Sequence, residues 1–150
     1  MRGFPYKSAT GKFNNKKMET PDGVFDSKGE WQRWLFLKDA ERQGLIKDLQ
    51  RQVKFVLIPT QYREEVVHLK TKDKIVKRVA EREVTYTADF VYRKQTKDIE
   101  NNLLGHIEVW SKVVEDYKGY PNDRWPLKKA MMLYFHGIAI REVKKPTEPI

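Results

Sequence analysis

The first periodic run of apolar residues lies in "FDSKGEWQRWLFLKDAERQG", residues 25–44. Trp31, Trp34 and Leu35 recur at helical spacing, Ser27 is a good N-cap, and Gly44 stops the run, so the stretch predicts a helix. Residues 50–60, "QRQVKFVLIPT", are rich in β-branched side chains and predict a strand ended by Pro59. Residues 61–82 are dense in charge and predict an exposed hairpin or loop, with short strand pieces at Val66-Val67 and Ile75-Val76. The next stretch, "REVTYTADFVYR", alternates cleanly. Val84, Tyr86, Ala88, Phe90 and Tyr92 are predicted to face one way, and Thr85, Thr87, Asp89 and Val91 the other. Residues 94–102 read as a polar connection, and "HIEVWSKVVEDYKG" as a third strand. "DRWPLKKAMMLYFHG" predicts a helix with Asp123 or Asn122 near its cap and Gly137 at its stop. Leu127, Met131 and Tyr134 or Phe135 form its expected buried stripe. "IAIREV" supplies a last strand and "KKPTEPI" a tail.

The order is therefore helix, three strands, helix, strand. The first three strands can form an antiparallel meander, and the last returns after a helical crossover, parallel to a neighbour. The expected fold is an α/β sandwich with a small mixed sheet flanked by helices. A basic arm (residues 1–22) precedes one domain (23–145), and a short tail (146–150) follows it.

Charge narrows the partners. Thirty Lys and Arg against 21 Asp and Glu leave a formal charge of +9, which suits a polyanion, most commonly nucleic acid. The arm carries Arg2, Lys7, Lys12, Lys16 and Lys17 and reads as a strap along a phosphate backbone. Cysteine is absent, which excludes disulfides, thiolate metal sites and cysteine nucleophiles and fits a cytosolic setting. No window approaches the ~20 apolar residues of a membrane span, so no membrane partner is expected.

The chemistry concentrates in "EDYKG". In an extended chain Asp116 and Lys118 share a face, while Glu115 and Tyr117 share the other. Phosphodiester cleavage needs hard oxygen ligands for Mg²⁺, a deprotonated and aimed water, and neutralisation of charge on the phosphate oxygens. Asp116 with Lys118 can supply part of that set, and Asp89 on the preceding strand is the second carboxylate. Neighbouring strands lie ~4.8 Å apart, close enough for acids on two of them to share an ion. Arg124, Lys128 and Lys129, beside and on the following helix, form a candidate phosphate-contacting face. Each residue also has a plainer reading: Ser27 and Glu30 as a capping box, Asp89 as a turn former, Asp116 with Lys118 as a surface ion pair. His68, His106 and His136 share no ligand spacing.

Three motifs together resemble the PD-(D/E)XK nuclease superfamily, and within it small phage-encoded members. They are Phe25-Asp26-Ser27-Lys28 with Glu30, then Tyr86 with Ala88-Asp89-Phe90, then Glu115-Asp116 with Lys118-Gly119. The resemblance covers roughly residues 13–143, and Ala88 stands where the superfamily's name has proline. It implies a restriction-endonuclease-like αβββαβ core with Asp89, Asp116 and the carbonyl of Tyr117 as ligands of Mg²⁺ or Mn²⁺. It implies Lys118 orienting the attacking water, Glu30 as a further ligand, and a first-strand glutamine, Gln50 or Gln52, at the site. The implied activity is metal-dependent DNA cleavage, structure-specific and of the Holliday-junction-resolving type, by a homodimer in a phage-infected bacterial cytoplasm. A restriction-like or nicking enzyme on plain duplex, or a nucleic-acid-binding module that does not cut, are the alternatives.

Overall fold

The computed structural model describes residues 17–101, 105–117 and 124–150. Residues expected to be a loose arm are ordered from position 17 onward. β1 (Met18–Thr20) and β2 (Gly23–Phe25) pair as a small antiparallel hairpin. Lys38 holds the Asp22 carboxylate at 2.9 Å, and Arg51 donates to the Asp22 carbonyl at 2.7 Å, so this end is tied to the body. The rest of the expected arm, including Lys16, lies outside the described residues.

Ser27, with extended backbone, accepts the Glu30 amide at 3.1 Å and opens helix α1 (Lys28–Arg42). Gly44 follows the C-cap with φ 76°, a conformation that costs other residues and suits glycine. The buried side of α1 is Glu30, Arg33, Leu37 and Ala40. Trp31 and Leu35, which signalled the helix, sit half-buried and exposed, while Trp34 stacks on Phe90 with ring centroids 6.2 Å apart. Polar residues take the inner positions because their partners, chiefly Glu115, lie on the sheet beneath.

The main sheet has four strands in the order β3 (Ile46–Ile58), β6 (Val84–Asn101), β7 (Gly105–Tyr117) and β8 (Arg141–Val143). β3, β6 and β7 form an antiparallel meander, and β8 runs parallel to β7 after helix α2 (Trp125–His136). Against this sheet alone the chain order is α1, β3, β6, β7, α2, β8. The molecule is thus mixed α/β with a mixed sheet and two helices, though richer in strand than expected. β4 (Gln61–His68) and β5 (Asp73–Glu81) form a full antiparallel ribbon between β3 and β6, with Val66 opposite Ile75. Residues 94–101, expected as a polar connection, instead extend β6 against β7 from Lys94↔Ser111 to Asn101↔Gly105. Their polar side chains carry little burial signal because this end of the ladder is largely exposed.

Two core clusters flank the sheet. Tyr86, Ala88, Phe55, Leu57, Val91 and Val114 pack with Trp125 and Met132 of α2. Phe90, Tyr92 and Ile46 pack with Leu37 and Ala40 of α1. The even-numbered residues of β6 therefore do not share one cluster: Tyr86 and Ala88 go with α2, Phe90 and Tyr92 with α1. The change falls at Asp89. Opposite it Gln52 has φ 53°, and the register passes from Arg51↔Phe90 to Val53↔Ala88 with no 52/89 pair between.

α2 also departs from expectation. Trp125 and Met132 are its buried residues, Met131 is half-buried, and Leu127, Tyr134 and Phe135 are exposed. Arg124 stands at its N-cap without a side-chain cap bond, and Gly137 closes it at φ 65°. Asp123 and Asn122 lie outside the described residues. The tail is docked: Arg33 donates to the Pro146 carbonyl at 3.1 Å, and Lys94 to that of Ile150 at 2.8 Å. No described helix is long and apolar enough to cross a membrane.

Candidate active site

β7 places two adjacent acids on opposite sides of the sheet. Glu115 turns toward α1, where Arg33 donates to both its oxygens at 2.6 and 2.9 Å and Tyr92 adds a hydroxyl at 2.8 Å. Both side chains of this ion pair are fully buried. Burial beside the Glu115 carboxylate pushes the Tyr92 phenol far above its ordinary pKa, so it remains a donor. Glu115 is thus occupied by structure.

Asp116 turns toward α2. It is buried, and its Oδ1 accepts the Tyr86 hydroxyl at 2.9 Å. Burial, and then the charge of Asp116, raise the Tyr86 pKa strongly, so that hydroxyl also stays protonated and fixes the carboxylate's orientation. Asp116, Asp89, Tyr86, Trp125 and Lys128 line one cleft of about 270 Å³ between the sheet and α2.

Asp89 knits the site together. Its Oδ2 accepts the Tyr117 amide at 2.8 Å, which sets it against the peptide that follows Asp116. Its Oδ1 lies 3.4 Å from Gln52 Nε2, and the same amide nitrogen lies 3.3 Å from Glu30 Oε1. Gln52, at left-handed backbone, is a strained residue whose side chain bridges two acids; such strain recurs at functional sites. Gln50 instead lines a separate cleft with Asp48 and Arg93.

Glu30 divides its tasks between its oxygens. Oε2 accepts the Asp26 amide at 3.0 Å and supports the helix start, while Oε1 reaches toward Gln52. Capping and a place beside the cleft therefore coexist without movement. Burial, followed by the nearby Asp26 charge, raises its pKa against the pull of the Asp26 amide, Arg51 and Gln52.

Glu30, Gln52, Asp89, Asp116, Tyr117 and Lys128 are thus brought into one connected arrangement. Others stand apart from it. Lys129 is engaged with Glu142 and sits over the Trp125 ring. Arg124 is exposed at the α2 start, and Lys17 is exposed 3.7 Å from Asp26. Lys118 lies outside the described residues. Tyr86 entered the sequence reading only as a motif letter, and its place three residues before Asp89 was the available signal. Gly29 carried none: a Cβ there would fall 2.3 Å from the Tyr117 hydroxyl, so the glycine lets that ring lie on the first turn of α1.

Among the described residues no group of three or more His, Cys, Asp or Glu side chains is arranged to hold a metal. The donors present do fit a hard ion that keeps much of its own water. Mg²⁺ is commonly held by one or two carboxylates plus substrate phosphate, and Asp89 and Asp116 in one cleft meet that need.

No curated protein and no solved structure matches the chain. A family model does match it over residues 10–135, and the chain belongs to that family, described as "Protein of unknown function (DUF1064)".

Proposed function

We propose that the protein is a metal-dependent DNA endonuclease built on a restriction-endonuclease-like core, acting on branched DNA. The observation that carries this reading is the shared cleft of Asp89, Asp116 and Lys128, with Glu30 joined to Asp89 through Gln52. The chain order of the main sheet and its helices, α1, β3, β6, β7, α2, β8, supports the core. The charge of +9 supports a nucleic-acid substrate.

Asp89, Asp116 and the Tyr117 carbonyl would hold Mg²⁺ or Mn²⁺. When bound, the ion would neutralise charge at the scissile phosphate. Tyr86 orients Asp116 through its hydroxyl, and the Tyr117 amide orients Asp89. Lys128 would meet phosphate oxygens at the mouth of the cleft, and Lys118 would steady the attacking water.

The test uses a four-way junction, a fork and a linear duplex, each with Mg²⁺ or with EDTA. Cleavage of the junction in Mg²⁺ alone, lost in Asp116→Ala and Lys118→Ala, is the expected result. Binding without cutting in every condition would make the protein a binding module. Equal cutting of plain duplex would remove the branch preference.

A further inference from the structure

Helix α2 is inside-out. The side toward the sheet carries Trp125, Lys128, Lys129, Met132 and His136, at the i, i+3, i+4, i+7 spacing of one face. The outer side carries Leu127, Ala130 and Tyr134, flanked by Leu133, with no charge among them. Leu127, Leu133 and Tyr134 are each more than half exposed, Tyr134 at 83%. An apolar stripe of this kind on a charged chain marks an interaction surface.

The ribbon shows the same property. Opposed residues in an antiparallel pair share a face, so Tyr62/Val79 and Val66/Ile75 form an apolar row, each residue more than half exposed. Between and beyond them stand Glu64 opposite Lys77, and His68 paired with Asp73 at 2.7 Å, so charges on this face balance. The other face carries Arg63, Lys74 and Arg78 against Glu65 alone. A two-stranded ribbon is marginal by itself and gains stability by packing on a helix or a further strand.

The two surfaces adjoin. His136, at the end of α2, bonds the Val56 carbonyl at 2.9 Å, and β3 leads from Val56 into the ribbon within five residues. Eleven of the fifteen exposed large apolar side chains among the described residues lie on α2, on the ribbon, or at its root on Val56 and Val84.

We propose that the outer face of α2 and the neutral apolar face of the ribbon form one surface that binds a second copy of this chain. Charge selects the occupant. Two copies at +9 repel over most of their surface, and this is where cations are absent or matched by acids. Nucleic acid would take the opposite, cationic face of the ribbon. Size agrees: α2 spans about 18 Å and a ribbon strand about 27 Å, and only together do they approach the ~800 Å² that each partner buries in a stable interface. A closed two-fold arrangement buries both strips on both copies.

The test is sedimentation velocity on the full chain, without DNA or metal, across the micromolar range at low and high salt. A dimer whose mass persists at high salt is expected. Leu127→Glu with Tyr134→Glu, and separately Ile75→Glu with Val79→Glu, should each weaken association at least tenfold, while Arg63→Glu with Lys74→Glu should not. Should either charged pair fail to fold by circular dichroism, Tyr134→Ser and Ile75→Thr give the same readout. A monomer throughout, equal affinity in all variants, or association that needs DNA and vanishes at high salt would each overturn the proposal. Cleavage is not read, so this outcome and that of the nuclease reading are separate.

Discussion

Glu115 and Asp116 are consecutive carboxylates on one strand, yet the two sides of the sheet treat them differently. On the α1 side, Glu115 is fully buried and its oxygens meet Arg33 and Tyr92, with Arg141 3.7 Å away. Every bonding direction there is spent on holding α1, β7 and the docked tail together. On the α2 side, Asp116 opens on a cleft that also holds Asp89 and Lys128, with Tyr86 steering it from one side. A carboxylate neutralised inside the fold is architecture; one steered into a cleft is available for chemistry. Carboxylates of the same kind thus serve stability and function according to which way the strand turns them.

The largest expected effect lies on the α1 side. Arg33→Met would leave Glu115 buried without its counter-ion and lower stability by about 3–5 kcal/mol, read by chemical denaturation. Replacing both partners with Met should recover much of that loss, since a packed apolar pair is often neutral or better. On the α2 side the balance should invert. Asp116→Asn should lower cleavage by about 10²–10³-fold, the scale on which a preorganised electrostatic group acts. Its stability cost should stay near 1 kcal/mol, that of one weakened hydrogen bond. Equal stability losses on the two sides would erase the distinction.

A smaller effect sharpens it. Gly→Ala within a helix ordinarily stabilises by roughly 0.5–1 kcal/mol, but Gly29→Ala would drive the Tyr117 hydroxyl away. The expectation is a loss of about 1–3 kcal/mol from overpacking, with cleavage reduced because Tyr117 adjoins both aspartates. A stabilised and active variant would show that the Tyr117 ring does not need its place on α1.

The smallest effect concerns Glu30 and pH. Burial raises its folded-state pKa above the ordinary value near 4.5. The folded chain therefore holds this proton more tightly than the unfolded one, and wild type loses stability as pH rises from about 4.5 through the raised value. Glu30→Gln keeps an acceptor for the Asp26 amide without the charge. Thermal melts should show it at least as stable as wild type at neutral pH and without that loss. A Gln variant less stable at neutral pH than at pH 4 would contradict the assignment.

How much of this could be read from residues depended on where alternation held. Near the end of β7 the ladder is regular, with Phe90 opposite Glu115 and Val91 opposite Val114, so period-two reasoning separated Asp116 from Glu115 correctly. On β6 the same reasoning failed across Asp89, because the left-handed Gln52 interrupts the pairing, and nothing local in "RQV" announces it. The ends of both helices were legible from Ser27, Gly44 and Gly137, since caps are local chemistry. Their buried faces were not. Apolar stripes were taken as inward, whereas α1 turns Glu30 and Arg33 to the sheet and α2 turns Lys128 and Lys129 there. That choice depends on partners many residues away, such as Glu115 and Glu142.

The most direct test of the two-sided account is Mn²⁺ binding, followed by paramagnetic relaxation of water protons, without DNA. Wild type and Glu115→Gln should each hold one ion tightly, while Asp89→Asn and Asp116→Asn should each bind it at least tenfold more weakly. No binding by wild type, or equal binding by all four, would contradict the assignment of the α2-side cleft as the metal-dependent site.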